Sequence, residues 1–200
     1  MRKALVLGIL GTLLGVGISG AKVQPPEILV GGEKISPVLL KVEPLSPEER
    51  EELLKGIREL RKDGIKVGVG EPEIVVFFDP LCPYCREAVK SGELEKLKNK
   101  SVFIPVSVHG KQGTVLAAYL LKKAKREPLP LVVKGWFNEE VEVCEKDLEK
   151  CIKEKEKSLT RGDLYELEKV EGLFRKLRLT AVPCFINLKT GTVQYGFKSH

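Results

Sequence analysis

The sequence predicts an α/β domain built on a mixed sheet, and three observations carry that prediction. The run Ile74–Phe78 is continuously apolar, as expected of a strand covered on both faces. Helical and strand-like patterns alternate on from it as far as residue 125. Residues 126–177 then turn mostly helical, and two short strand-like runs close the chain. The order β-α-β, helices, β-β gives a sheet with parallel and antiparallel neighbours and a helical insertion between its halves.

The elements follow in order. Residues 1–21 carry Arg2-Lys3, then an apolar or glycine-containing stretch, then Ser19-Gly20-Ala21. A short positive head, an apolar core and small residues at its end make a cleaved secretory signal peptide. The apolar stretch is shorter than the roughly 20 residues a membrane span needs. No cysteine stands at the cleavage point, which disfavours a lipoprotein. The mature chain is expected to begin near Lys22, in an oxidising compartment.

Residues 22–65 form a short N-terminal region and a helix. Ile28-Leu29-Val30 and residues 38–42 are rich in strand formers. Ser46, Pro47 and Glu49 supply an N-cap, a first-turn proline and a capping box. Leu53, Leu54, Ile57 and Leu60 recur at helical spacing until Asp63-Gly64 stops the run. This apolar stripe either packs on a neighbouring domain or partner, or lies on its own core. Residues 66–200 form the main domain. In it a helix is expected over residues 83–98, a strand over 101–108, and a helix over 113–125. Thr160 and Asp163 make a second capping box, and residues 184–188 and 192–197 make a hairpin around Lys189-Thr190-Gly191.

The 200 residues are 42% hydrophobic and 31% charged, so the chain is neither disordered nor short of core-forming residues. The formal net charge of +6 is spread among alternating Lys and Glu, as in residues 146–157. That patterning is a solvated helix surface and excludes a nucleic-acid-binding design, which would cluster its basic residues.

The chemistry lies in Asp79-Pro80-Leu81-Cys82-Pro83-Tyr84-Cys85, directly after the buried strand. Pro83 suits the first turn of a helix, which puts Cys82 at the N-cap. Unpaired N–H groups and the positive helix end favour a thiolate there. Cys82 is thus the candidate nucleophile, and Cys85, one turn on, the thiol that resolves a mixed disulfide. A zinc site needs two further ligands, and Cys144, Cys151, Cys184, His109 and His200 include no second close pair. The motif calls for no metal and no organic cofactor. A second feature is Thr180-Ala181-Val182-Pro183-Cys184-Phe185, with a proline at the mouth of an apolar strand. A cis peptide bond beside the two cysteines would account for it; an edge strand is the plain alternative.

Phe77-Phe78-Asp79-Pro80-Leu81-Cys82-Pro83-Tyr84-Cys85 resembles the active-site strand and turn of periplasmic disulfide isomerases of the DsbC/DsbG type. Val182-Pro183 resembles the cis-proline loop of thioredoxin-fold proteins, and Gly110-Lys111-Gln112-Gly113 is also similar to the corresponding stretch of that family. The resemblance spans roughly residues 66–197. It implies a thioredoxin-like mixed sheet with a helical insertion, catalysing oxidation, reduction or rearrangement of protein disulfides in the periplasm. Cys82 and Cys85 would be catalytic, Pro83 and Tyr84 the active-site dipeptide, and Val182 and Pro183 the substrate-docking loop. Partners would be unfolded or misoxidised exported proteins and a membrane or periplasmic redox protein, with a homodimer and a linker helix at residues 46–62. Three positions depart from the pattern. Val182 replaces the threonine usual in the isomerases, Val76 stands where thioredoxins carry a buried acid, and the usual C-terminal helix is missing. Readings from other classes are a dedicated periplasmic reductant and a chaperone-like module for unfolded chains.

Cys144 and Cys151 share one apolar helical stripe. An unbroken helix would hold them about 10 Å apart, too far for a bridge, whereas a helix starting near Asp147 would allow a structural disulfide. Cys184 reads as a small buried core residue. His109 is either a catalytic histidine or an ordinary loop residue, and Trp136-Phe137 either an aromatic surface or core.

Overall fold

The computed structural model describes residues 28–30, 33–35, 44–68, 70, 72–91 and 100–196. The expected signal peptide, the strand expected over residues 38–42, the far half of the helix expected over 83–98, and residue 197 of the closing hairpin lie outside them. The chain divides into two units, residues 1–41 and 42–200. In the first, strands β1 (Ile28–Val30) and β2 (Glu33–Ile35) pair antiparallel, with Ile28 opposite Ile35.

The second unit holds a four-stranded sheet in the order β4-β3-β5-β6, made of β3 (Ile74–Phe78), β4 (Ser101–Pro105), β5 (Cys184–Asn187) and β6 (Val193–Tyr195). Strands β3 and β4 run parallel, and β5 lies antiparallel to both β3 and β6. The mixed sheet is the one expected from the element order. Phe77 and Phe78, adjacent on β3, point to opposite faces. Phe77 meets Phe174 edge-on with ring centres 5.3 Å apart, and Phe78 meets Phe137 at 6.0 Å. Both faces are therefore covered, which is why β3 reads as an unbroken apolar run. The free edge of β4 is covered too, because the Phe103 N–H donates to the Val67 carbonyl. Gly68 passes so close that a Cβ there would stand 2.6 Å from the Ser101 carbonyl oxygen.

Helix α1 (Pro47–Lys62) starts at the Ser46–Glu49 capping box, with both of its hydrogen bonds formed, and ends at Asp63. Its stripe, Leu53, Ile57 and Leu60, is buried within this second unit, where α1 lies beside α7 (Arg161–Lys176). The helix anticipated as a linker thus packs on its own core. Helix α7 opens on the Thr160–Asp163 capping box, and it lies against α3 (Gly110–Lys123) as well.

The insertion consists of α4 (Leu129–Gly135), a π-helical turn Trp136–Glu140, α5 (Val141–Lys146) and α6 (Leu148–Ser158). Trp136 and Phe137 are buried, so they serve the core and do not present an aromatic surface. Two predicted boundaries move. The strand expected over residues 101–108 ends at Pro105, and Val108 is exposed, because the Val108 and His109 N–H groups bond to the Asp79 carboxylate instead of a neighbouring strand. Helix α3 starts three residues earlier than its periodicity indicates, since Gly110–Gln112 form an exposed first turn with no apolar side chain to mark it.

Candidate active site

The two cysteines sit where β3 hands over to α2 (Pro83–Lys90). Asp79 breaks the strand, and its main-chain carbonyl accepts from the Cys82 N–H at 3.1 Å, turning the chain. Pro83 takes the first helical position and Cys82 is the N-cap, its sulfur accepting from the Cys85 N–H at 3.4 Å. Opposite stands the loop before β5. The Cys82 thiol lies 3.6 Å from the Val182 carbonyl oxygen, and the Val182–Pro183 peptide bond is cis. Pro183 falls just outside β5, so the strand loses no ladder donor; its own carbonyl accepts from the Gly196 N–H at 2.9 Å. Six residues named from the sequence, Cys82, Pro83, Tyr84, Cys85, Val182 and Pro183, thus frame this one junction. Pro83 is exposed, Tyr84 is half-buried against the core, and both cysteines are buried without being bonded to each other.

The two thiols are unequal. A hydrogen bond from the Cys85 thiol, opposed by burial and aided by the Cys85 and Tyr84 N–H groups, draws the Cys82 thiol below its ordinary range. Burial in the first place, then the bond it donates to Cys82 and the charge of that neighbour, pushes the Cys85 thiol well up. One sulfur is thus prepared to attack while the other keeps its proton.

A hollow of about 230 Å³ opens beside Cys82, lined among others by Leu81, Pro83, Arg86, Phe137 and Val141. The insertion is tied to this junction twice. The Trp136 Nε1–H donates to the Pro80 carbonyl at 2.8 Å, and Arg86 of α2 pairs with Glu142 at 2.5 Å and Glu145 at 3.1 Å on α5.

Cys144 and Cys151 lie away from the junction and are joined by a disulfide, with Cα atoms 5.2 Å apart. The helix breaks at Asp147 (φ −147°, ψ 74°), whose side chain accepts from the Lys150 N–H at 3.1 Å and so caps α6. The break brings together two residues that an unbroken helix would separate. Cys184 is buried on β5, and desolvation pushes its thiol up to about 12. His109 is exposed, with Nδ1 3.0 Å from Asp79 Oδ2.

Sequence reasoning read Asp79 only as the residue that ends a strand. It is fully buried. Its Oδ1 accepts from the Leu81 N–H at 2.7 Å, and its Oδ2 from the Val108 and His109 N–H groups at 2.6 and 3.1 Å. The available signal was an acid abutting an apolar strand and a reactive motif, where a carboxylate must find donors or stay out. The Arg86–Glu142–Glu145 cluster left no signal, because Arg86 lies more than fifty residues from its two acidic partners. Among the described residues no group of three or more His, Cys, Asp or Glu side chains could hold a metal ion.

No protein-family model matches the sequence, and no curated protein is significantly similar to it. Solved structures are similar in fold. The catalytic domain of Proteus mirabilis ScsC superposes with a TM-score of 0.55 at 20% identity, over 75% of this chain and 91% of that one. ScsC of the same organism in a compact conformation gives 0.55 at 20% identity, over 76% and 82%. The thiol-disulfide exchange protein alpha-DsbA2 from Wolbachia pipientis gives 0.52 at 14% identity, over 76% and 90%. The fold is thioredoxin-like, with a helical insertion.

Proposed function

We propose that the chain is an exported thiol–disulfide oxidoreductase and isomerase acting on protein disulfides in the periplasm. The observation that carries this reading is the unequal cysteine pair at the N-terminus of α2, facing the Val182 carbonyl across the junction. A solved structure of similar fold is described as a thiol-disulfide exchange protein.

In the reduced form the Cys82 thiolate attacks one sulfur of a substrate disulfide. A Cys82–substrate bond forms, the substrate S–S bond breaks, and the other substrate sulfur leaves as a thiolate that takes up a proton. Two exits follow. If a second substrate thiolate attacks the mixed disulfide, Cys82 is released and the substrate has exchanged one pairing for another. If Cys85 loses its proton and attacks Cys82, the second substrate thiolate leaves; the substrate has gained two electrons and two protons, and Cys82 and Cys85 are joined. The reverse sequence oxidises a substrate dithiol, and a redox partner must then restore the starting state. Stabilising the Cys82 thiolate favours the reduced form, which makes the Cys82–Cys85 disulfide a ready donor. Val182 and Pro183 offer backbone beside the Cys82 sulfur, and the hollow at Leu81 and Phe137, rimmed by charged residues, accepts a neighbouring substrate side chain. Residues 1–21 act as the cleaved signal peptide, and residues 22–65 provide whatever self-association the isomerase resemblance implies.

The test is reactivation of a scrambled-disulfide protein by the mature chain, beginning at Lys22, with Cys82→Ser and Cys85→Ser alongside. Activity in the wild type and none in Cys82→Ser is the expected result. Equal behaviour of wild type and Cys82→Ser in rearrangement, reduction and oxidation assays would sink the reading and leave a binding module.

A further inference from the structure

The exchange steps make no use of Asp79, yet the site closes around it. A carboxylate taken out of water costs several kcal/mol unless it is densely hydrogen-bonded. Asp79 meets that condition with donors from two segments. The active-site turn supplies the Leu81 N–H, and the loop before α3 supplies the Val108 and His109 N–H groups, with His109 Nδ1 lying 3.0 Å from Oδ2. Gly113 of α3 leaves room for it: a Cβ there would stand 3.2 Å from Asp79 Oδ2 and 2.7 Å from Ser107 Oγ. The carboxylate charge opposes ionisation of both cysteines. On the flanking helices, Arg86 pairs with Glu142 and Glu145, and Lys111 with Glu156.

We propose that Asp79 is a positioning residue of the exchange site: its carboxylate fixes the turn that carries Cys82 and, by its buried charge, restrains that cysteine's reactivity, with the His109 imidazole packed against it. This rests on the exchange reading of Cys82 and Cys85. The charge comes from the end of the strand, three residues before Cys82, and not from position 76, where this chain has a valine. The arrangement trades reactivity for order: the same side chain that holds the turn holds back the thiolate.

The experiment is the pH dependence of Cys82 alkylation in the reduced mature protein, comparing wild type, Asp79→Asn and His109→Ala. Asp79→Asn removes the charge and keeps the shape, and should move the midpoint down by about half a pH unit or more. His109→Ala removes the imidazole held 3.0 Å from Asp79 Oδ2 and bares more of the charge to solvent and to Cys82, so its midpoint should move up by a few tenths. Unmoved midpoints in folded variants would overturn the inference, because a purely structural Asp79 would alter stability alone. If Asp79→Asn does not fold, His109→Ala decides by itself, and an unmoved or lowered midpoint overturns the inference. Alkylation needs no exchange activity, so the midpoints judge Asp79 while reactivation of scrambled protein judges the exchange reading.

Discussion

The protein carries two pairs of cysteines, and the difference between them lies in the backbone around each. Cys82 and Cys85 are three residues apart at the start of a helix, unbonded, with N–H groups on one sulfur and a loop carbonyl opposite. Cys144 and Cys151 are seven apart across a helix break, bonded, and packed into the insertion. The helix N-terminus stabilises a thiolate and leaves it facing a loop where substrate can lie. The break stabilises a bridge and closes a loop. On the exchange reading, the same chemical group is reactive in one setting and structural in the other, and the local turn decides which.

The sharpest way to break the comparison is to disable each pair in turn. Cys82→Ser should abolish disulfide exchange in a reactivation assay, while Cys144→Ser with Cys151→Ser should leave turnover largely intact. If the double variant alone lost exchange, the roles would be reversed. Next in size is the tie between insertion and junction. Trp136→Ala should destabilise the protein by about 3–5 kcal/mol in denaturant unfolding, through a cavity and the lost bond to Pro80. Trp136→Phe, which loses mainly the hydrogen bond, should cost about 1 kcal/mol. Equal costs would mean that the bond, not the packing, holds the insertion. The Cys144–Cys151 bridge closes a short loop, so its removal should lower stability by roughly 2 kcal/mol, less than Trp136→Ala.

The smallest effect distinguishes the thiols by pH. Cys184 titrates at about 12 in the folded chain against an ordinary value of 9.0. The unfolded chain therefore releases this proton first as pH rises, and stability falls between about pH 9 and 12. Cys85, also raised, acts in the same direction. Cys82 is lowered, so its contribution is present above 9.0 and is lost as pH falls through its folded value. Unfolding of the reduced protein followed above pH 9 should show a decline that Cys184→Ala makes shallower. An unchanged decline in that variant would assign the alkaline loss elsewhere.

How far the sequence reaches depends on whether a signal is local. The capping boxes at Ser46 and Thr160, the strand Ile74–Phe78 and the N-cap role of Cys82 were all legible, because each is written within a few residues. The fate of Cys144 and Cys151 turned on one non-helical residue, Asp147, and periodicity alone gave both outcomes. Asp79 was hidden because two of its three backbone donors come from a loop about thirty residues later, and the strand stopped at Pro105 for the same reason. Arg86 and its acidic partners meet only through tertiary packing of the insertion on α2.

The most direct test of the account is to trap the reaction halfway. A Cys85→Ser chain can attack a substrate disulfide and cannot resolve it, so incubation with a disulfide-bonded substrate protein followed by non-reducing mass spectrometry should show a covalent adduct. The account predicts that adduct on Cys82, with Cys144–Cys151 still paired. An adduct on Cys144 or Cys151, or none on Cys82 while the substrate is turned over, would contradict it.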